Sequence, residues 1–341
     1  MRRPGVGPGR RLGGFRAGNG GGLLLAPSNT TAPVASGTRG VGLTLSCTDG
    51  IWSGVPAPTY TYQWQSGVTI GGGGSFTNIG GATAATFVET AATASYDIRR
   101  VTTGANAVGS ASANSNTLAA QTPATIRGAN KTGWFDEGSS TMTGASWVDR
   151  DAIGNLTGGG GAANPSAGTA INGHATLSWD GGDIQTGSAI SNRIAAAAFG
   201  VWAVIRTGAS PATESAPMTD PGLVCDDFQE WNISITTTPR MSVLDSTVKS
   251  TAAGTMAAST VYSIRAYHDG TTLHFKSSGT IDKTGTAGTI DALTGTMKVG
   301  TSDTTGTVVE IAALIFMNAT PTAQQILDMD AWCLNYGGVA P

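Results

Sequence analysis

Hydrophobic residues alternate with small or polar residues along several short stretches of the chain, with turn-forming residues between them. Residues 41–45 alternate in this way, and Tyr60, Tyr62 and Trp64 occupy every second position of a later stretch. A period of two places alternate side chains on the same face of a β-strand. The pattern across residues 32–118 therefore predicts a compact set of strands joined by turns.

A second set of strand patterns begins near residue 124. Residues 199–207 alternate, and residues 261–277 contain two strand-like runs on either side of an Asp269-Gly270 pair, which is typical of a tight hairpin turn. Residues 308–317 are an almost continuous apolar run, which predicts a strand that is buried on both faces.

A helix pattern occurs near the C-terminus. Thr320 is a candidate N-cap, Pro321 suits the first turn, and Gly337 and Gly338 can end the helix. The apolar residues that fall along one side of this predicted helix are Ala323, Ile326, Leu327, Cys333 and Leu334.

The composition favours the same fold class. The 341 residues include 50 Gly and 14 Pro, and only 12% are charged, against about 25% in ordinary globular chains. That charge is too low for a disordered polyampholyte, and the glycine content argues against coiled coils and helical repeats. We therefore expect an all-β protein.

The first residues differ in charge from the rest of the chain. Residues 1–22 contain five arginines and no acid, so they carry +5, and the remainder carries −8 because the net charge is −3. A basic, Gly-rich leader cannot bury enough apolar surface to fold alone. It is either an arm that docks on an acidic neighbour or a solvated arm without a specific partner. We expect docking on a protein rather than binding of nucleic acid.

The cysteines and the apolar runs exclude several classes of protein. Cys47, Cys225 and Cys333 lie far apart and form no zinc-type spacing, so we expect reduced thiols. No apolar run approaches the ~20 residues that span a membrane, and residues 23–25 are too short for a secretory signal. We expect no membrane partner.

The first part of the chain resembles the immunoglobulin-like modules of bacterial surface proteins and phage virion proteins. The stretches that carry the resemblance are PVASG at 33–37, GLTLSC at 42–47, WSG at 52–54, PTYTYQWQ at 58–65 and NAVGSA at 106–111. The resemblance aligns Cys47, Trp64 and Ile98 with the first Cys, the core Trp and the second Cys of that sandwich. Because Ile98 replaces the second Cys, these three residues are expected to form an apolar core without a disulfide.

The second part resembles the concanavalin A-like jelly rolls of phage structural proteins. The blocks that carry this resemblance are WFD at 134–136 with WVDR at 147–150, NGHATLSWDGGD at 172–183, and VEIAALIF at 309–316 followed by the predicted helix. The leader, with GRRLGG at 9–14, also resembles the start of such phage proteins.

Catalysis and metal binding have weak support in the sequence. Glucanases of this fold place their acids as Glu-x-Asp-x-x-Glu, and no glutamate here begins that pattern. The acidic cluster at 226–230 is interpreted as a solvated loop or the end of a strand. Asp180 and Asp183 suit either a calcium loop or a hairpin turn, and the turn is favoured. His174, His268 and His274 are scattered without ligand spacing, and two of them are expected on strand surfaces. We therefore predict no catalytic residues, no metal site and no cofactor.

Sugar binding needs aromatic faces beside polar groups. The sequence offers several candidates and does not choose among them, so the ligand-binding residues stay unknown at this stage. The candidate aromatic platforms are Trp134, Trp147, Trp179, Trp202, Trp231, Tyr262 and Tyr267.

Together these observations predict a docking arm at 1–27, an immunoglobulin-like domain at 28–120 and a jelly roll at 121–341. The resemblance implies a non-enzymatic structural protein of a tailed-phage virion, as a fibre, spike or decoration on head or tail. Its expected partners are other virion proteins through the arm and host-surface glycans, with the chain as a homo-oligomer in the particle. The alternative is a glycan-binding adhesin or polysaccharide depolymerase.

Overall fold

The structure is a computed structural model. It describes residues 23–158, 164–179, 183–189, 191, 193–194, 198–209, 222–226, 231–234, 240–245, 247–252, 255–278, 283–286, 295–300 and 309–339. Within these residues, no helix is both long enough and apolar enough to cross a membrane. The chain is all-β, as its composition predicts.

The first domain is a small sandwich of short antiparallel strands. Its elements are β1 (Leu25–Thr31), β2 (Ala35–Ser36), β3 (Thr44–Cys47), β4 (Ile51–Val55), β5 (Thr59–Gly67), β6 (Phe76–Asn78), β7 (Phe87–Val88), α1 (Ala91–Ala94), β8 (Ile98–Asn106) and β9 (Gly109–Asn114). The described strands form sheets in the orders β6-β5-β8-β9, β2-β3-β7 and β1-β4.

The core of this domain forms around Trp64, as the sequence predicts. Trp64 is fully buried beside Leu45, Phe87 and Ile98, and the half-buried Cys47 packs against them. The indole N–H of Trp64 donates to the carbonyl of Ala84 at 3.0 Å. The apolar cluster therefore occupies the place where the resemblance would put a disulfide.

The observed starts of two strands differ from those that the sequence pattern predicts. Strand β1 begins at Leu25, so the last three residues of the predicted arm lie in a strand, while residues 1–22 lie outside the described residues. Strand β3 begins at Thr44 rather than at Val41, because residues 40–43 form a turn in which the Leu43 amide donates to the Gly40 carbonyl at 3.0 Å.

The second domain carries the longer strands and the C-terminal helix. Its elements are α2 (Pro123–Arg127), a single turn of 3₁₀ helix (Gly128–Asn130), β10 (Lys131–Phe135), β11 (Ser146–Trp147), β12 (Leu156–Gly158), β13 (Ser166–Ala167), β14 (Leu177–Trp179), β15 (Ile184–Ala189), β16 (Phe199–Thr207), β17 (Gly222–Asp226), β18 (Trp231–Ser234), β19 (Arg240–Asp245), β20 (Thr247–Ala252), β21 (Val261–His268), β22 (Thr272–Ser277), β23 (Lys283–Thr286), β24 (Thr296–Gly300), β25 (Val309–Met317) and α3 (Ala323–Gly337).

Two sheets of this domain pack face to face as a jelly-roll-like sandwich. Among the described strands, one sheet has the order β13-β14-β25-β16-β21-β22-β23, with β10 also pairing with β25. The other has the order β11-β12-β15-β24-β17-β18-β19-β20. Apolar residues from both sheets, among them Trp147, Phe316 and Val299, form one buried cluster between them.

The central strand β25 confirms the prediction from its continuous apolar run. Every residue from Ile311 to Met317 is buried, because one face meets the opposite sheet and the other meets α3. The hairpin between β21 and β22 is also confirmed: Gly270 has φ +102°, and Asp269 Oδ1 accepts hydrogen bonds from the backbone amides of Thr271 and Thr272.

Helix α3 corrects two predictions about its start and its buried face. The N-cap is Thr322, not Thr320, because its hydroxyl accepts from the Gln325 amide while the Gln325 side chain accepts from the Thr322 amide. Leu327 was predicted on the apolar side but is 51% exposed. The helix instead turns Met329, Trp332, Cys333 and Tyr336 toward the sheet, since these fill the space above β16, β21 and β25. Gly337 is the last helical residue and Gly338 is the C-cap, with φ +63°.

Candidate functional site

A cleft of about 210 Å³ opens where the first domain, the linker and helix α3 meet. Helix α3 and the end of β10 supply most of its walls, and Ile70 and Gly71 approach from the first domain. The residues that line the cleft are Ile70, Gly71, Thr122, Trp134, Asp136, Glu137, Gly138, Arg150, His174, Trp332 and Tyr336.

Two adjacent carboxylates follow directly after β10. Asp136 is buried, and both of its oxygens accept from Arg150 Nη1, at 2.8 and 2.9 Å. Burial raises the pKa of Asp136, while the hydrogen bond and charge of Arg150 act in the opposite direction. Asp136 therefore serves chiefly to hold the guanidinium of Arg150.

The second carboxylate, Glu137, faces the turn that contains His174. One of its oxygens contacts His174 Nδ1, and the other accepts from the backbone amide of Ala175 at 2.9 Å. Its side chain remains 37% exposed, whereas that of Asp136 is 3% exposed. Glu137 is therefore the more solvent-accessible of these two acids.

A continuous stack of rings forms one side of the cleft. The ring of His174 lies on that of Tyr336 with centroids 3.7 Å apart and planes 9° from parallel. Tyr336 stacks on Trp332 at 4.6 Å, and Trp332 meets Trp134 edge-on at 6.1 Å. The guanidinium of Arg150 lies 3.7 Å from the centroid of the Trp134 ring. Because the rings cover one another's faces, the stack presents mainly ring edges to the cleft.

Two buried polar atoms of this stack lack hydrogen-bond partners. They are Nε1 of Trp134 and the hydroxyl of Tyr336, whose side chains both line the cleft. The Glu137 backbone amide approaches the Tyr336 hydroxyl without reaching hydrogen-bonding geometry. Burial raises the pKa of Tyr336, and the charges of Asp136 and Glu137 raise it further, so the hydroxyl stays protonated. Both atoms have almost no solvent-accessible surface, so they are unpaired donors buried behind the wall of the cleft and are not open to a ligand in it.

The turn that carries His174 is tied to the end of helix α3. Asn172 adopts φ +49°, and its Nδ2 donates to the carbonyls of Asn335 and Tyr336 at 3.0 and 3.2 Å. Asn tolerates this left-handed conformation better than most residues do. These bonds place His174 against Tyr336.

A buried ion pair positions Trp134 at the end of β10. Arg193 and Asp149 pair with fully buried side chains, and Asp149 Oδ1 accepts from the backbone amide of Trp134 at 3.0 Å. A second buried pair joins Arg127 to Asp151 at 2.7 Å. Both ion pairs therefore have a structural role and stabilise the residues that form the wall of the cleft.

Helix α3 also holds the two domains together. Asp328 Oδ1 accepts from the Val41 backbone amide at 2.8 Å, and Gln324 Nε2 donates to the Val41 carbonyl at 3.2 Å. One turn beyond the midpoint of the helix, Asn335 Nδ2 donates to the Ala91 carbonyl at 2.8 Å. The helix that forms a wall of the cleft is therefore also the interface between the domains.

The structure separates the aromatic candidates that the sequence left undecided. Trp147, Trp179 and Trp202 are fully buried in the core, and Tyr262 and Tyr267 are also buried. The side chain of Trp231 lies outside the described residues. Of the seven candidates, Trp134 lines the cleft. Its partners Trp332 and Tyr336 were not among them, and the helix pattern did not place them on its apolar side either.

Among the candidate histidines and acids from the sequence, His174 lines the cleft, whereas the other described ones do not. His274 lies half-buried on strand β22, but His268 is fully buried within its strand. Asp183 is buried, whereas Asp180 and residues 227–230 of the acidic cluster lie outside the described residues. No group of three or more His, Cys, Asp or Glu side chains that could hold a metal occurs among the residues the structure describes.

No family model and no curated protein matches this sequence. Solved structures match only at low similarity. The binding domain of botulinum neurotoxin DC in complex with SialylT is 10% identical over 59% of this chain and 50% of that chain, with a TM-score of 0.43. A structure of botulinum neurotoxin type C, whose cell entry depends on interaction with two ganglioside molecules, is 12% identical over 60% of this chain and 51% of that chain, with a TM-score of 0.42.

A sialidase of Trypanosoma rangeli in complex with 2,3-difluorosialic acid is 10% identical over 87% of this chain and 49% of that chain, with a TM-score of 0.43. This chain thus spans about half the length of the solved structures it matches. Similarity at this level carries no information about the ligand of this chain, which must be sought in its own cleft.

Proposed function

We propose that the chain is a non-enzymatic carbohydrate-binding protein and that the cleft between β10 and helix α3 is its binding site. The partly exposed side chains of Glu137 and Arg150, 37% and 34% exposed at a cleft with aromatic walls, carry this proposal. A sugar hydroxyl both donates and accepts, so it can pair with a guanidinium and with a carboxylate at once. A bound sugar can therefore donate to Glu137 and accept from Arg150.

The same geometry supports binding rather than hydrolysis. Retaining hydrolysis needs one ionised carboxylate as nucleophile and a second, protonated one about 5 Å away. Asp136 is occupied by Arg150 at both oxygens, and Glu137 by His174 and the Ala175 amide. Both carboxylates therefore make structural contacts, and this supports a binding role over retaining hydrolysis.

Screening the full chain against an array of host-surface glycans tests this proposal, with titration calorimetry on any glycan that binds. Glu137→Gln removes the exposed carboxylate charge and keeps the shape of the side chain, so we expect it to weaken binding about tenfold, since a hydrogen bond to a charged group contributes about 1.5–3 kcal/mol. Glu310→Gln, which makes the same change at the Arg206 pair outside the cleft, is the matched control. Equal binding by the wild type and Glu137→Gln would exclude the cleft as the site.

We also propose that the chain is displayed on a phage particle and attached through residues 1–27. An exposed apolar surface where the leader joins the first domain supports this. Leu23 and Leu24 are 79% and 65% exposed, and Ile51 and Val55 on the neighbouring strand are also exposed. An apolar surface next to a segment of charge +5 suits docking on an acidic virion protein.

Particle occupancy tests this attachment. A chain that lacks residues 1–27 is expected to be absent from purified virions, whereas the full chain is present. The melting temperature of the shortened chain reports whether its domains still fold, since β1 begins at Leu25. A chain that lacks only residues 1–22 keeps β1 intact, so it separates loss of the basic leader from damage to the first domain. Normal occupancy by both shortened chains would contradict docking through the leader.

A further inference from the structure

The first domain supplies part of the wall of the cleft. Ile70 and Gly71 belong to the loop between β5 and β6, and they line the cleft together with Thr122 of the linker and residues of the second domain. We infer that this loop, residues 68–75, is part of the binding site, so that ligand binding is coupled to the docking of the two domains; this rests on the proposed carbohydrate-binding function.

Ile70 joins the loop to the second domain. Its half-buried side chain packs against the apolar cluster that contains Trp134, Trp332 and Tyr336, the rings of the cleft. Val68, two residues earlier in the same loop, is 51% exposed and is not among the residues that line the cleft. A ligand in the cleft therefore meets an aliphatic side chain of one domain beside the aromatic rings of the other, and apolar walls of this kind are usual in binding sites.

Asp97 fixes the loop in this position. Its Oδ2 accepts from the backbone amide of Gly73 in the loop, and its Oδ1 accepts from the amide of Ala120 in the linker, both at 2.8 Å. The Gly71 amide also donates to the Ser95 carbonyl at 2.9 Å. The loop is thus tied both to its own domain and to the linker, which gives the wall the fixed geometry that recognition requires.

Contacts outside the cleft dock the two domains. Asp328 of α3 is buried and accepts from the Val41 amide at 2.8 Å and from Gln121 Nε2 at 3.3 Å. Asp328, Val41 and Gln121 are not among the residues that line the cleft. Each domain also has its own apolar core. Separate cores joined by polar contacts are typical of domains that can move relative to each other.

A site built from two domains couples binding to docking. A ligand that contacts both walls binds the docked arrangement more tightly than one in which the loop has moved away, so the ligand stabilises the docked arrangement. The coupling is reciprocal. A substitution that weakens docking should therefore weaken binding even where the substituted residue does not touch the ligand.

Two variants of the loop test its role as a wall. The full chain is titrated by calorimetry with a glycan that binds on the array. We expect Ile70→Ala to weaken binding at least about fivefold, because the ligand loses apolar contact area. Val68→Ala, which truncates an aliphatic side chain of the same loop outside the cleft, should bind like the wild type. Melting temperatures show whether both variants fold.

Two neighbouring residues of α3 test the coupling. Asp328→Ala removes the acceptor of the Val41 amide without altering a residue that lines the cleft, and we expect it to weaken binding at least about threefold. Leu327→Ala, at a side chain that is 51% exposed on the same helix, should leave binding unchanged.

Hydrogen exchange of the wild type gives a readout that does not depend on the stability of a variant. A saturating concentration of the glycan should slow exchange of the Gly71 and Gly73 amides, because the bound ligand holds the loop against the second domain.

The possible results separate this inference from the proposed function. Wild-type affinity in folded Ile70→Ala or in folded Asp328→Ala, or unchanged exchange of the loop amides at saturation, overturns the inference and leaves carbohydrate binding by the second domain intact. Failure of the wild type to bind any glycan on the array overturns the proposed function, and the inference with it.

Discussion

The imidazole ring of His174 lies flat against the phenol ring of Tyr336, with ring centroids 3.7 Å apart. One residue belongs to a turn before β14 and the other to the last turn of α3, so this contact closes one side of the cleft. It also brings His174 beside Glu137 and fixes the plane in which the Tyr336 hydroxyl lies. Two segments far apart in the sequence thus build one side of the cleft.

Replacing His174 tests this relationship. We expect His174→Ala to lower the free energy of unfolding by about 0.5–1.5 kcal/mol through loss of the ring contact and to weaken sugar binding. His174→Phe should recover the stability, because it restores the ring, but should not recover the contact with Glu137. Calorimetric melting and sugar titration measure the two effects. Equal stability of the Ala and Phe variants would show that the stack contributes little.

The first domain should depend strongly on its buried indole. Trp64→Ala removes the centre of the cluster formed with Leu45, Phe87 and Ile98, and we expect a loss of about 3–5 kcal/mol. Hydrogen exchange of the β5 and β8 amides measures this loss within the first domain. Trp52→Ala, at a half-buried indole outside that cluster, should cost less. Unchanged exchange in Trp64→Ala would contradict the assigned core.

The buried ion pair behind the cleft should be costly to break. Asp149→Asn leaves the fully buried Arg193 without its charged partner, and we expect a loss of about 3–5 kcal/mol in the free energy of unfolding. Glu310→Gln at the partly exposed Arg206 pair should cost no more than about 1 kcal/mol. Urea unfolding compares the two variants. Similar losses in both would contradict a special role for the buried pair.

The Asp269 hairpin predicts a pH dependence of stability. Burial acts to raise the pKa of Asp269, but hydrogen bonds from the Thr272 and Thr271 amides and the Thr271 hydroxyl outweigh it and lower the pKa from 3.8 to about 2. Because the folded state holds the ionised form more strongly, this contribution is fully present above pH 3.8 and is lost as the pH falls toward about 2.

Comparing Asp269→Asn with the wild type across this range isolates the contribution. Asparagine can still accept from the same backbone amides but does not ionise. The wild type should therefore be more stable than the variant above pH 3.8, and the difference should shrink as the pH falls toward 2. Measurement of the free energy of unfolding at several pH values checks this expectation. A difference that grows on acidification would contradict the sign of the pKa change.

Much of the β-structure was predictable because its cause is local. The period of two around Trp64, the Asp269-Gly270 turn and the apolar run of β25 each reflect side-chain geometry within a few neighbouring residues. The apolar replacement of the disulfide by Ile98 was also visible, since it depends only on which residue occupies one position of a known pattern.

The cleft was not predictable in the same way. The blocks that contain Trp134, Arg150 and His174 stood out in the sequence, but nothing in their spacing shows that they meet each other and helix α3. The buried face of that helix is set by the sheet beneath it, which is why Leu327 is exposed while Trp332 and Tyr336 are buried.

The sequence alone therefore determined the class of fold, the principal strands and the core of the first domain, because backbone preference and alternation act over short distances. Only the tertiary structure decided which aromatic rings stack, which carboxylate pairs with Arg150 and which buried donors are left unpaired. The pair of Asp136 and Arg150 joins residues only 14 positions apart, but the stack of His174 on Tyr336 joins residues more than a hundred positions apart. Contacts of the second kind form only when both sheets and the helix have packed.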